Sequence, residues 1–168
     1  MRALDALAAL VSAGVDVCVG GKGFRDVILP AINENLLDSL QVLVDAGCPV
    51  NATQTASNDG GDPDIFQPAL HAISFDRVEA FRILAKAGAD LDAIADVADV
   101  AADHGVAPPS LADVAAVASP GILKILKEEY GREPSGFWQV THSRGQPPRF
   151  VPVDDENATT TLPPRGEL

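Results

Sequence analysis

Aspartates are the residues of this sequence best suited to chemistry or binding. Many of them lie in two long segments that contain no Lys or Arg. Residues 48–67 and 89–109 contain Asp59, Asp62, Asp64, Asp90, Asp92, Asp96, Asp99 and Asp103. No Lys or Arg occurs between Arg25 and Arg77 or between Lys86 and Lys124. Carboxylates without local counter-charges attract basic surfaces and repel phosphate backbones. The two segments therefore predict a basic protein partner and disfavour nucleic-acid binding, although acidic loops also serve simply to keep a protein soluble.

A search for catalytic and metal-binding patterns finds none that is complete. The stretch NDGGDPD, residues 58–64, alternates oxygen ligands with glycine but lacks the EF-hand spacing and its closing Glu. The stretch VGGKGF, residues 19–24, lacks the G-x-x-x-x-G-K-[ST] pattern of a phosphate-binding loop. Neither G-x-S-x-G nor H-E-x-x-H occurs. We therefore expect no catalytic residue, no metal and no cofactor.

The cysteines and the hydropathy pattern bear on the compartment. Cys18 and Cys48 have neither C-x-x-C spacing nor a second pair beside them. This argues against a disulfide framework or a zinc site and favours a reducing, intracellular setting, cytoplasmic or nuclear. No run of 18 apolar residues occurs, so association with a membrane is not expected.

Recurring glycines divide the chain into similar segments. Gly14, Gly47, Gly88 and Gly131 follow one another at intervals of 33, 41 and 43 residues. Residues 28–52 align with residues 69–93 without a gap, which indicates an internal repeat. The apolar stripes at helical spacing in these two stretches are Leu37, Leu40 and Val44, and Val78, Phe81 and Ala85. We expect Gly14, Gly47 and Gly88 to be structural, each ending a helix in the left-handed conformation that suits a residue without Cβ.

Four short motifs resemble those of the ankyrin-repeat family. They are PALHAI (68–73), SLADVA (110–115), AGCPVNA (46–52) and AGADLDA (87–93), and the resemblance covers about residues 4–131. It implies an all-α solenoid of helical-hairpin repeats. The longer glycine intervals add long inter-repeat loops to this expected fold, and the composition of the C-terminal residues adds a flexible tail. The resemblance also implies a structural role for His71, whose ring would hydrogen-bond to backbone in a neighbouring loop. The chain departs from the family at Pro30, where the family has His, and in its longer intervals.

The resemblance also divides the chain. We expect a repeat domain over residues 1–131, with a partial repeat at 4–14 and repeats at about 27–47, 68–88 and 110–131. Residues 132–168 are rich in Pro and Thr, lack helical periodicity and are expected to be largely disordered. Phe137 and Trp138 are an exception, since an aromatic pair either docks on the last repeat or forms a linear motif for another protein.

These features together predict a non-catalytic scaffold or adaptor that binds a basic protein through loops on the concave face of the repeats. The expected contacts are carboxylates for charge complementarity and two apolar anchors: Asp59, Asp62, Asp64, Ile65, Phe66, Asp92, Asp96 and Asp99. Two alternatives stay open. The chain could be a regulatory or assembly subunit that oligomerises through its partial first repeat, or an acidic mimic of nucleic acid that occupies a basic groove.

Overall fold

A single helix followed by three pairs of helices makes up most of the described chain. The computed structural model describes residues 3–18, 27–51, 54–56, 64–92, 105, 107–141 and 149–153. In these ranges the helices are α1 Ala3–Ser12, α2 Ile28–Asn33, α3 Leu37–Asp45, α4 Pro68–Ser74, α5 Val78–Lys86, α6 Leu111–Ala118 and α7 Pro120–Tyr130. The strands are β1 Gln54–Ala56, β2 Asp64–Phe66, β3 Trp138–Thr141 and β4 Arg149–Pro152.

The turns inside the first two pairs have the same geometry. Asn35 and Asp76, which occupy aligned positions 41 residues apart, both have positive φ, at 55° and 53°. Asn and Asp tolerate this left-handed conformation better than other residues with a Cβ. The following amides make matching bonds, from Leu36 N–H to the Ala31 carbonyl and from Arg77 N–H to the Ala72 carbonyl, each 2.8 Å long. The repeat seen in the sequence is therefore also a repeat of backbone conformation.

The last pair begins differently, because side chains cap both of its helices. Ser110 and Asp113 form a capping box at the start of α6, in which each side chain accepts from the backbone N–H of the other residue. Ser119 both ends α6 and caps α7, whose first residue is Pro120. Proline suits that position because the first amide of a helix has no partner within the helix.

Glycines end α3 and α5 as well as α1. Gly14, Gly47 and Gly88 have φ values of 74°, 87° and 88°, in the region that penalises a Cβ. Each chain turn is closed by a bond from the residue after the glycine: Val15 to Leu10, Cys48 to Leu43 and Ala89 to Leu84, at 3.0–3.1 Å. These bonds use helix-end carbonyls that would otherwise lack a partner.

One apolar core runs through the three pairs. Helix α2 contacts α4, α4 contacts α6, and α3 and α5 contact each other along the other side. The largest fully buried side chains include Ile32, Leu40, Phe81, Leu111 and Ile122. Helix α1 contacts α3 but is shallowly packed, because none of the residues from Leu4 to Ser12 is fully buried. Its Leu10 is 47 % exposed.

The prediction of an all-α fold is wrong, because the described residues contain two antiparallel strand pairs. Strand β1 pairs with β2, with Thr55 opposite Ile65, inside the connection between α3 and α4. Strand β3 pairs with β4 near the C-terminus. The reason is visible in the residue types, since QTA and DIF flank the turn-forming stretch NDGGDP. Strands of three residues are too short to show a periodic pattern of their own.

The prediction of a flexible C-terminal tail is also wrong for residues 132–141 and 149–153. The structure describes these residues as ordered backbone that includes β3 and β4. Alternation decides this, because Trp138 and Val140 share one face of β3 and meet Pro152 and Phe150 across the pair. Trp138 is only 7 % exposed. Its ring meets that of Phe150 edge-on at 6.3 Å, and β3 contacts α6.

Candidate binding surface

The connection between α3 and α4 holds three of the predicted contact residues in a strand. Asp64, Ile65 and Phe66 form β2, whose backbone is fixed against Gln54–Ala56. Asp59 and Asp62 lie outside the described residues, in the stretch of sequence between the two strands. The strand pair brings the two ends of this stretch close together. The structure therefore orders the backbone at the base of the acidic stretch.

Asp92 has a cation beside it in space, although the sequence has no base near it. Its Oδ1 lies 2.6 Å from Nη2 of Arg132, which follows α7. The two side chains remain 65 % and 45 % exposed, so water still reaches the pair. Asp96 and Asp99, the other predicted contacts of this segment, lie outside the described residues. Part of the negative charge expected of residues 89–109 is thus already compensated.

Asp92 belongs to a series of equivalent links between successive units of the chain. A unit is here the single helix α1 or one of the three helix pairs, together with the glycine turn that follows it. Asp92 lies four residues after Gly88 and reaches Arg132, directly after Gly131. Asn51 lies four residues after Gly47; its Nδ2 donates to the Gly88 carbonyl at 3.0 Å, and its Oδ1 accepts from Asp90 N–H at 2.7 Å. We call these links the inter-unit clasps. The same position thus joins each unit to the C-terminal turn of the next.

The first inter-unit clasp is covalent, which corrects the expectation from the cysteine spacing. Cys18, four residues after Gly14, forms a disulfide with Cys48, directly after Gly47. Their Cα atoms are 5.1 Å apart, within the range that a disulfide requires. The prediction was wrong because spacing along the chain does not show which cysteines meet in space. Thirty residues of sequence separate the two cysteines, yet the stacking of one unit on the next brings them together.

His71 links the first two helix pairs at their other end. Its Nε2 lies 2.5 Å from Oδ1 of Asn33, the last residue of α2, and because that oxygen only accepts, the ring nitrogen is the donor. The resemblance implied a backbone partner, whereas this one is a side chain. Burial lowers the pKa of His71 from 6.5 to about 4, so the ring is neutral at pH 7. Its ring also packs against that of Phe75, with the two ring centroids 4.7 Å apart.

Asp113 is a key residue that the sequence analysis did not assign. It occupies in SLADVA the position that His71 occupies in PALHAI, and it is 4 % exposed. Its Oδ2 accepts from the amide and hydroxyl of Ser110 at 2.8 and 2.9 Å. Its Oδ1 accepts from the amide and hydroxyl of Ser135 at 2.7 and 3.0 Å. One carboxylate therefore caps α6 and anchors the chain that leads to β3; the S-x-x-D spacing was the available signal.

The described part of the chain holds neither a metal-binding cluster nor a membrane-spanning helix. Within it, no group of three or more His, Cys, Asp or Glu side chains is arranged to hold a metal ion. In the same residues, none of the helices is both long and apolar enough to cross a bilayer.

Comparison with known proteins supplies no family. No protein-family model matches the chain, and a search of curated proteins finds no significant match. The ankyrin resemblance therefore stays a prediction, and the function has to be argued from the residues of this chain.

Proposed function

We propose that this protein is a non-catalytic binding module that recognises a basic surface of another protein. The observation that supports this most directly is the strand pair β1–β2, which holds the base of the acidic connection between α3 and α4. Asp59, Asp62 and Asp64 lie in or beside this strand pair in the sequence. A chain that is already ordered at its base loses less conformational entropy when it binds than a free loop does.

Charge is the second support for this proposal. Residues 26–76 contain no Lys or Arg at all, and the whole chain has a formal net charge of −12. Such a field speeds encounter with a basic partner and weakens as salt is added. The apolar residues Ile65 and Phe66, directly after Asp64, supply the contact area that charge alone does not.

The connection after α5 has the smaller part in this proposal. Asp92 is paired with Arg132, and its carboxylate therefore attracts an external base less strongly. Asp96 and Asp99 remain as predicted contacts from sequence. The compartment also remains a prediction: an intracellular setting was expected from the cysteine spacing, whereas the disulfide is more usual in oxidising compartments.

The test compares two triple variants in quantitative pulldown from a cell lysate at low and high salt. Asp59→Asn, Asp62→Asn and Asp64→Asn together should lose most of the salt-sensitive partners that the intact protein retains. The control variant removes the same charge elsewhere, at the exposed residues Glu34→Gln, Asp38→Asn and Glu128→Gln. It should keep those partners. Loss of the same partners by both variants, or by neither, would refute the assignment of the surface.

A second function has a separate observation in its favour. Helix α1 buries none of the residues from Leu4 to Ser12 fully, and its Leu10 is 47 % exposed. An apolar helix face left this open suits contact with another chain, as expected of an assembly or regulatory subunit. Sedimentation over a concentration series distinguishes the two, since self-association through α1 should be abolished by Leu10→Glu. A monomer at every concentration removes homo-oligomerisation from consideration.

A further inference from the structure

We propose that the Cys18–Cys48 disulfide is a reversible redox clasp: a dithiol reductant opens it in the folded protein and releases α1 from α3, while the helix pairs from α2 to α7 stay folded. Three observations on the structure lead to this. They concern the access to the sulfur atoms, the packing of α1, and the chemistry of the equivalent clasps.

The two cysteines differ in their access to solvent. Cys48 is 4 % exposed, whereas Cys18 is partly exposed. A cleft of about 300 Å³ lies against Cys18, and its other lining residues are Val11, Gly14, Val15, Asp16, Val17 and Ala46. A small thiolate entering the cleft meets Cys18 first. Exchange at a disulfide requires such an approach, because the thiolate attacks one sulfur and displaces the other.

The exchange balances with a dithiol as the only co-reactant. One thiolate of the dithiol bonds to Sγ of Cys18, the S–S bond breaks, and Cys48 leaves as a thiolate. The second thiol of the reductant, after deprotonation, then attacks the reductant sulfur that is bonded to Cys18. This closes the reductant's disulfide and releases Cys18 as a thiolate. The two protons lost by the dithiol end on the two cysteines. The protein disulfide gains two electrons, and the dithiol becomes a disulfide.

Helix α1 is the element that depends most on this bond. None of the residues from Leu4 to Ser12 is fully buried, whereas α3 buries Leu40 and Leu43 and α5 buries four residues. A ten-residue helix is marginal in water unless packing or a covalent link holds it. Leu7 and Val17 contact the core from this end, but both are only partly buried. Without the disulfide, α1 keeps little that orders it.

The other inter-unit clasps do not respond to a reductant. Asn51 holds the next unit through two hydrogen bonds, and Asp92 holds the last through an ion pair with Arg132. Reduction therefore acts at the first junction alone. A reducing compartment keeps α1 released, and an oxidising one keeps it clasped. The α3 surface beneath α1 becomes available only in the reduced state.

Hydrogen–deuterium exchange of the intact protein, with and without dithiothreitol, tests the proposal. In native buffer with the reductant, iodoacetamide should label both cysteines, and amides of residues 3–18 should exchange at least tenfold faster. Amides of α4–α6 should change less than twofold. The double variant Cys18→Ser, Cys48→Ser should exchange like the reduced protein and ignore dithiothreitol. Asn51→Ala, which weakens the second clasp, should leave the response to dithiothreitol unchanged.

Three results would overturn the proposal. Cysteines that are labelled only in denaturant would show that the disulfide is closed to reductants. Equal exchange of residues 3–18 before and after reduction would show that packing alone holds α1. Faster exchange throughout α2–α7 would show that the whole fold depends on the bond. Because these measurements use the wild-type chain, they stand even when the double variant fails to fold.

Discussion

Acidification should destabilise this protein through His71, and the structure gives the size of the effect. The neutral ring donates from Nε2 to Asn33 Oδ1 and lies against Phe75 in a partly buried site between α2 and α4. Protonation would place a charge where little water reaches it. Burial accordingly lowers the pKa of His71 from 6.5 to about 4.

The sign follows from proton binding in the two states. Between pH 6.5 and about 4 the unfolded chain binds a proton at this histidine and the folded chain does not. The free energy of unfolding therefore falls as pH falls through this window, and the contribution of the neutral ring is fully present above pH 6.5. The full pKa difference corresponds to about 3 kcal/mol, and we expect about 2 kcal/mol because the ring is partly exposed to solvent screening.

Urea denaturation at a series of pH values, from about 7.5 to about 4.5, measures this quantity. The comparison is with His71→Gln, whose amide can still donate to Asn33 but does not titrate. All other titrating groups, including His104 and His142, are common to both proteins and cancel in the difference. The free energy of unfolding of the variant, relative to that of the wild type, should increase by about 2 kcal/mol on acidification. A difference that stays constant over this range would refute the assignment of a buried neutral ring.

Three further changes test other parts of the structure. Asn51→Ala removes the bonds to Gly88 and Asp90 and should lower the free energy of unfolding by about 1 kcal/mol in urea denaturation. Asn51→Asp should cost nearly as much, since a carboxylate cannot donate to the Gly88 carbonyl. A neutral effect of both variants would exclude the second clasp. Gly88→Ala places a Cβ at a φ of 88° and should cost about 1 kcal/mol by the same measurement, so a more stable variant would contradict the left-handed cap. Trp138→Ala should cost about 3 kcal/mol, and Trp138→Phe, which loses the bond to the Ala107 carbonyl and one ring of the buried indole, should cost less than Trp138→Ala. Emission of this single tryptophan at the wavelength of an exposed indole in the wild type would contradict its burial.

The helical part of the chain could be located from sequence because its signals are local. Apolar residues at spacings of three and four mark α3 and α5, and the glycines after them mark where these helices end. The strands were missed for the opposite reason. Each of β1 and β2 has three residues, and their order comes from pairing across a turn rather than from a pattern within either segment.

The sequence by itself determined the repeated helices, the glycine turns and the excess of acidic residues, since each of these depends on residue type and short-range spacing. Only the tertiary structure decided that Cys18 meets Cys48, that Arg132 neutralises Asp92 and that Asp113 holds Ser135. These partners are 22 to 40 residues apart, and a pairing at that distance is set by how the helices and turns between the partners pack in space. Charge and hydrophobicity along a chain report composition, whereas compensation of a charge or oxidation of a thiol depends on distance in space.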